Sequence, residues 1–303
     1  GGQWDMMVSI VKKYGIVPAT VMPETEQSCN TRDVMRLINT KLRKDAAELR
    51  GLIAAGKDAA ARKEEMLAEL FKALCICFGR PVDCFDFEYT DKDGVYHADR
   101  GLTPVSFYEK YIGMELENYV SVINAPTQDK PYGKLYTVKY LGNVVEGSVR
   151  YLNLTMEEMK ALVVEQLKAG EPVWFGSDCG KFGSRDDGIW DQNSFVYGEI
   201  LGGLDLTMTK EERLDYRDSA MNHAMVLCGV NLDENGKPNR WKIENSWGED
   251  AGKKGYFIAS DAWFDEFVYQ AVVNKRFLSE AQREALSGEP VELAPWDPMG
   301  SLA

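Results

Sequence analysis

Two apolar runs in the C-terminal third of the chain, HAMVLCGV (residues 223–230) and RWKIENSW (240–247), flank the turn-forming DENG at 233–236. Such runs, bounded by an Asp/Asn/Gly cluster, read as the arms of an antiparallel hairpin. A ladder symmetric about that turn brings His223 and Asn245 near one another at the same end of the hairpin. Further strands are expected over 255–259 and 271–277, and with the hairpin they make a small antiparallel sheet.

The chain holds only two histidines. His97 ends the second arm of another expected hairpin, FDFEYT–DKDG–VYH at 85–97, and reads as a surface residue. His223 opens an otherwise apolar strand, where a histidine is ordinarily a satisfied core residue. Asn245 changes that reading. An imidazole acting as a base needs a group on its far nitrogen to hold its tautomer and ring orientation. An amide does this without adding charge, and the neighbouring indole of Trp247 can keep water from the bond. His223, Asn245 and Trp247 are therefore the candidate constellation.

The rest of the pattern is mixed. Helices are expected over 5–14, stopped by Gly15, then over 31–53 and 58–78 as a helical hairpin broken near Gly51 and Gly56. The stretch between Gly15 and Thr31, with Pro18 and Pro23, reads as loop. A short helix is expected over 103–111, and strands over 120–123, 138–141 and 172–176. Thr155 and Glu158 form a capping box for a helix stopped by Gly170, and Ser279 and Gln282 form another. Residues 178–206, rich in Gly and Asp, read as an ordered loop region.

The net charge of −13 argues against nucleic-acid affinity of the whole chain, because phosphate binding needs a basic surface. A mildly basic stretch over 31–72 reads as a solvated helix face. There is no apolar run long enough for a transmembrane helix. Six cysteines are too few for a disulfide scaffold in a chain of 303 residues, which points to a reducing, cytoplasmic setting. Cys75, Cys77 and Cys228 read as small buried hydrophobes. Cys75 and Cys77 are separated by one residue, and no CxxC and no histidine stands near them or Cys84, so neither a metal nor a cofactor is expected.

MNHAMVLCGV followed by WKIENSWGEDAGKKGYF resembles the His and Asn segments of papain-like cysteine peptidases. GGQWDMMVSIVKKYGIVP, FDFEYTDKDGVYH, PVWFGSDCGK and the tail PWDPMGSLA narrow the resemblance to the bleomycin hydrolase or aminopeptidase C group, over nearly the whole chain. The resemblance implies an α+β, papain-like fold with a helical insertion and an antiparallel sheet or barrel half. It implies a cytoplasmic aminopeptidase acting on peptides with a free N-terminus and assembled as a homohexamer. By the same resemblance residues 1–30 end the helical half, and 31–115 are the insertion with its β-hairpin. Residues 116–288 are then the β half, and 289–303 a tail in the active-site cleft. His223 becomes the base, Asn245 its orienting partner and Trp247 the shield of their bond. Gly1 and Gly2 pair with substrate backbone, Ala224 borders the pocket for the side chain preceding the scissile residue, and Ala303, preceded by Leu302, offers its terminal carboxylate to the substrate's α-amino group.

One departure stands out. The group's nucleophile lies in a Gln…Gly-x-Cys-Trp segment upstream of the Gly-Gly-Gln-Trp motif, and none of the six cysteines here is followed by Trp. The start at Gly1, without methionine, leads to the expectation that the nucleophile-bearing front end is missing and the chain alone is inactive. The alternative is a non-catalytic, oligomeric peptide-binding homologue.

Overall fold

The computed structural model describes residues 2–142 and 146–301. The chain divides into two compact units, one of residues 11–114 and one of residues 1–10 with 115–303. Helix α1 (Trp4–Tyr14) ends as expected at Gly15. A Cβ there would stand 2.1 Å from the Pro104 carbonyl carbon, and φ is +70°, so only glycine fits.

In the unit of residues 11–114, the expected loop holds one helical turn, α2 (Glu26–Cys29), capped by Thr25 through a 3.1 Å bond from Ser28 N. Helices α3 (Arg32–Ala54) and α4 (Ala60–Phe78) are the anticipated hairpin. Gly51 lies inside α3 rather than at the break, because one glycine costs a helix only about 1 kcal/mol. The basic side chains here are partly engaged between the helices: Arg62 meets Glu48 at 2.8 Å and Lys41 meets Glu69 at 2.8 Å. Strands β1 (Phe85–Thr90) and β2 (Tyr96–Leu102) pair antiparallel. His97 stacks on Tyr89 and meets Asp91 at 2.7 Å, with 41% of its side chain exposed, so it belongs to the hairpin surface. Helix α5 (Pro104–Phe107) continues as a π turn over Tyr108–Ile112.

The other unit follows in the order β3 (Tyr119–Ile123), β4 (Leu135–Val138), β5 (Tyr151–Asn153), α6 (Met156–Lys168) and β6 (Val173–Ser177). The region read as ordered loop contains β7 (Gly183–Ser184), β8 (Ile189–Trp190) and α7 (Tyr197–Ile200). Then come α8 (Lys210–Asp215), β9 (His223–Leu232), β10 (Pro238–Glu244), β11 (Tyr256–Ser260), α9 (Asp261–Phe267), β12 (Val268–Asn274), α10 (Glu280–Leu286) and β13 (Val291–Leu293). Both capping boxes form, at Thr155–Glu158 before α6 and at Ser279–Gln282 before α10.

The sheet departs from the expectation of a small antiparallel one. Eleven strands run in the order β13-β4-β5-β3-β12-β6-β9-β10-β11-β8-β7, with parallel pairs at β13/β4, β3/β5 and β11/β8. The expected strand at 271–277 sits at 268–274 and pairs with β3 and β6 instead of β11, because α9 intervenes and carries the chain across the sheet. The strand expected at 138–141 lies earlier, at 135–138. Strand β12 is buried on both faces, and its Gln270 donates to Ser121 Oγ at 3.0 Å.

Behind β10 and β11 the core is aromatic. Trp241 stacks on Phe264 with centroids 4.3 Å apart, and Trp190 stacks on both Phe257 (4.5 Å) and Trp263 (5.5 Å). Each such buried side chain contributes about 1.5–3 kcal/mol. Cys75, Cys77 and Cys228 are half-buried, contrary to the expectation. On β9, Met225 and Leu227 take the core-facing positions and the period of two leaves Cys228 on the other face. A two-helix hairpin has too little interior to bury Cys75 and Cys77. No helix among the described residues is long and apolar enough to cross a membrane.

Candidate functional site

His223 is the first residue of β9, and Asn245 follows directly on β10. The strands pair with Glu244 opposite Val226 and a register shift at Lys242/Ile243, so the two residues are not directly opposed across the ladder. Their side chains nonetheless meet, with Nε2 of His223 2.8 Å from Oδ1 of Asn245. That amide oxygen also accepts the Ser246 backbone N–H at 2.8 Å, which identifies it as the acceptor end. Nε2 of the neutral ring is therefore the donor, and Nδ1 keeps the lone pair. No hydrogen bond from the described residues engages Nδ1. Asn245 is itself held by its N–H donating to the Gly255 carbonyl at 3.0 Å.

Trp247 stacks on the His223 ring at 5.1 Å and 20°, and meets Phe257 edge-on at 5.6 Å. An indole beside the His–Asn bond excludes water and strengthens the bond by lowering the local dielectric. The Arg185 guanidinium lies 5.0 Å from the Trp247 ring, a contact the sequence did not signal.

A second polar layer fixes the residue before the histidine. Asp178 is 5% exposed and accepts from Ser219 Oγ (2.8 Å), Asn222 Nδ2 (2.5 Å) and Gly180 N (3.1 Å). Asn222 accepts from Cys179 N at 3.1 Å, and its own N–H donates to the Ser177 carbonyl at 3.0 Å. Tyr269 donates to Ser219 Oγ at 2.8 Å and completes the chain. The only sequence signal was a carboxylate directly after the apolar strand PVWFGS. Asp178→Ala leaves three donors without their acceptor, the buried Ser219 hydroxyl among them, and the expected loss is about 2 kcal/mol of stability. Urea denaturation measures it, and Asp178→Asn, which keeps one acceptor oxygen, is expected to lose less.

The other sequence candidates divide. Ala224 is half-buried in register with Gly176 and packs against the core beside the site. Gly2 is half-buried, and no hydrogen bond or ring contact among the described residues joins it to His223. Gly1, Leu302 and Ala303 lie outside the described residues. The tail before them is docked. Met299 is 1% exposed, Asp297 pairs at 2.9 Å with the buried Lys130, and Ser301 Oγ donates at 2.7 Å to the carbonyl of Met221, two residues before His223.

All six cysteines are free thiols. Cys179 lies two residues beyond Ser177, which pairs with His223, but it packs against the core. Burial, helped by the Asp178 charge, pushes its thiol up to about 11. A nucleophilic cysteine needs the opposite shift.

The sequence model of the Peptidase C1-like family matches residues 1–300. An aminopeptidase C of Streptococcus thermophilus is 55% identical, across 100% of this chain and 69% of its own length. One of Listeria monocytogenes is 51% identical, across 100% and 68%. The crystal structure of PepW from Lactobacillus rhamnosis HN001 superposes with a TM-score of 0.96 at 53% identity, covering 100% of this chain and 69% of that one. The α+β fold is thus the papain-like one, and the chain belongs to the Peptidase C1-like family, in its bleomycin hydrolase and aminopeptidase C group.

Proposed function

We propose that the chain supplies the base, the orienting amide and the C-terminal carboxylate of a cysteine aminopeptidase acting on peptides with a free N-terminus. The observation that carries the reading is the His223 ring, held through Nε2 by Asn245 at 2.8 Å and stacked on Trp247, with Nδ1 left to take a proton. Relatives named aminopeptidase C support it. Nδ1 accepts the proton of a cysteine thiol, the thiolate attacks the scissile carbonyl, and the imidazolium returns the proton to the departing amine. Water then hydrolyses the acyl-thioester.

The nucleophile is a cysteine in a Gly-x-Cys-Trp setting, which none of the six cysteines here has. Gly1 and Gly2 pair with substrate backbone and Ala224 borders the adjacent pocket. The docking of Ser301 on Met221 supports a tail that runs into the cleft, where the Ala303 carboxylate, after Leu302, meets the substrate's α-amino group. That contact favours a charged amine and blocks longer peptides on that side. Assembly into a homo-oligomer is supported by the exposed apolar side chains of Val196, Ile200, Leu201, Leu204 and Leu206. The proposed setting is cytoplasmic, and the proposed organisation is the helical end (1–30), insertion (31–115), β half (116–288) and tail (289–303).

A chimera tests the catalytic reading: this chain replaces the matching part of the Streptococcus thermophilus aminopeptidase C. The expected result is hydrolysis of aminoacyl-arylamides by the chimera and none by the chain alone. Turnover by the chain alone, abolished by thiol alkylation, would assign the nucleophile to one of its own six cysteines. A folded but inert chimera would favour the second reading, a peptide-binding homologue without chemistry.

A further inference from the structure

A groove of about 740 Å³ lies over β8, β10 and β11, in the unit that holds His223. Arg240, Lys242, Lys253 and Lys254 line it, in a chain whose net charge is −13. All four are exposed, and among the described residues none pairs with a carboxylate, Lys242 lying instead over the Tyr256 ring. Arg240 and Lys242 take alternate positions on β10, with Trp241 buried between them, so the strand's period of two sends both to the same solvent face. Lys253 and Lys254 sit in the turn before β11, where Gly252 packs so closely that a Cβ would stand 2.6 Å from the Tyr256 carbonyl.

The groove is also apolar. Ile189 is 44% exposed and Ile258 41%, and they are Cα partners across the β8/β11 pair. Its carboxylates are engaged: Asp187 accepts from Ser184 Oγ at 2.6 Å, and Asp191 from Ser260 Oγ at 3.1 Å. Unpaired cations above exposed branched aliphatic side chains suit an occupant that alternates negative charge with apolar groups.

We propose that this groove binds an extended polypeptide segment with alternating acidic and apolar side chains, separately from the His223 site. Carboxylates of the segment pair with the four cations, and its apolar side chains cover Ile189 and Ile258. Nucleic acid is disfavoured on two grounds. The Tyr256 ring, the aromatic side chain available for base stacking, is covered by the Lys242 ammonium at 4.4 Å. The two aspartates keep their charge and repel a strand with a charge on every phosphate more than a segment whose carboxylates alternate with apolar side chains.

The probe is a fluorescent, N-acetylated peptide of alternating Glu and Leu; acetylation removes the α-amine that the proposed aminopeptidase site requires. Anisotropy titration is expected to show saturable binding, weakened about tenfold by Arg240→Glu with Lys242→Glu. Raising salt from about 50 to about 300 mM is expected to weaken it comparably. Both substitutions are at exposed positions, with circular dichroism as the check on folding, and Lys253→Glu with Lys254→Glu is the second pair. The proposal is overturned by unchanged affinity in both pairs, by equal binding of a Lys/Leu peptide, or by no saturation at about 1 mM. Tighter binding of a single-stranded oligonucleotide, lost in the same variants, would also overturn it in favour of nucleic acid.

Discussion

Replacing His223 by alanine lowers kcat of the chimera described above by at least about a thousandfold, equivalent to about 4 kcal/mol of transition-state stabilisation. The expectation follows from how the ring is held. Asn245 Oδ1 fixes the donor at Nε2, so Nδ1 alone can relay the proton between thiol and leaving amine. A base and its nucleophile act as one unit, and removing either removes nearly all the catalysis that depends on both. The fold is expected to survive, because His223 is half-buried at the beginning of β9 while the core contacts of that strand come from Met225 and Leu227. The check is kcat on an aminoacyl-arylamide beside the urea midpoint. A variant that keeps its stability and its turnover removes His223 from the mechanism.

The second large effect concerns stability and arises at Lys210, on α8. Its ammonium is enclosed: it donates to the carbonyls of Asp265 (2.9 Å) and Val268 (2.6 Å) and lies 4.9 Å over the Tyr269 ring. Burial pushes its pKa down to about 7; the nearby charges of Glu266 and Asp265 oppose the shift and Lys160 adds to it. In the unfolded chain the group keeps the ordinary lysine value near 10.4. Between those two values the unfolded chain holds a proton that the folded chain has released, so stability rises with pH across that window. From pH 7 to pH 10 the gain from this one group is roughly 3 kcal/mol. Lys210→Met is expected to remove that gain, while the titrating tyrosines and cysteines remain common to both proteins. Urea denaturation at about pH 7 and pH 10 reads the difference, and parallel profiles would return Lys210 to an ordinary pKa.

The helices with strong periodicity or capping boxes were legible in the residues, as were the hairpins closed by DKDG and DENG. Each depends on a few adjacent side chains and a local turn. Elements of ordinary composition were not legible. Helix α9 is short and lies among strands, and β13 is three residues long, so neither has a period to read; α8, six residues long, carries a Thr209–Glu212 capping box that was not read as a helix start.

His223 and Asn245 could be brought together from the sequence alone, because one turn and the strand period determine which ends of a hairpin meet. The type of partner was equally legible, since an orienting group on the far ring nitrogen must accept a hydrogen bond, and Asn245 does so without adding charge. Only the tertiary structure decided what surrounds that pair. Asp178 lies under Asn222 through a Ser219 bond spanning 41 positions, Ser301 reaches Met221 across 80, and β12 meets β3 through Gln270 and Ser121 across 149. Such pairings select one apolar strand among several of similar composition. Packing of the whole sheet makes that selection, and no local pattern in the chain encodes it.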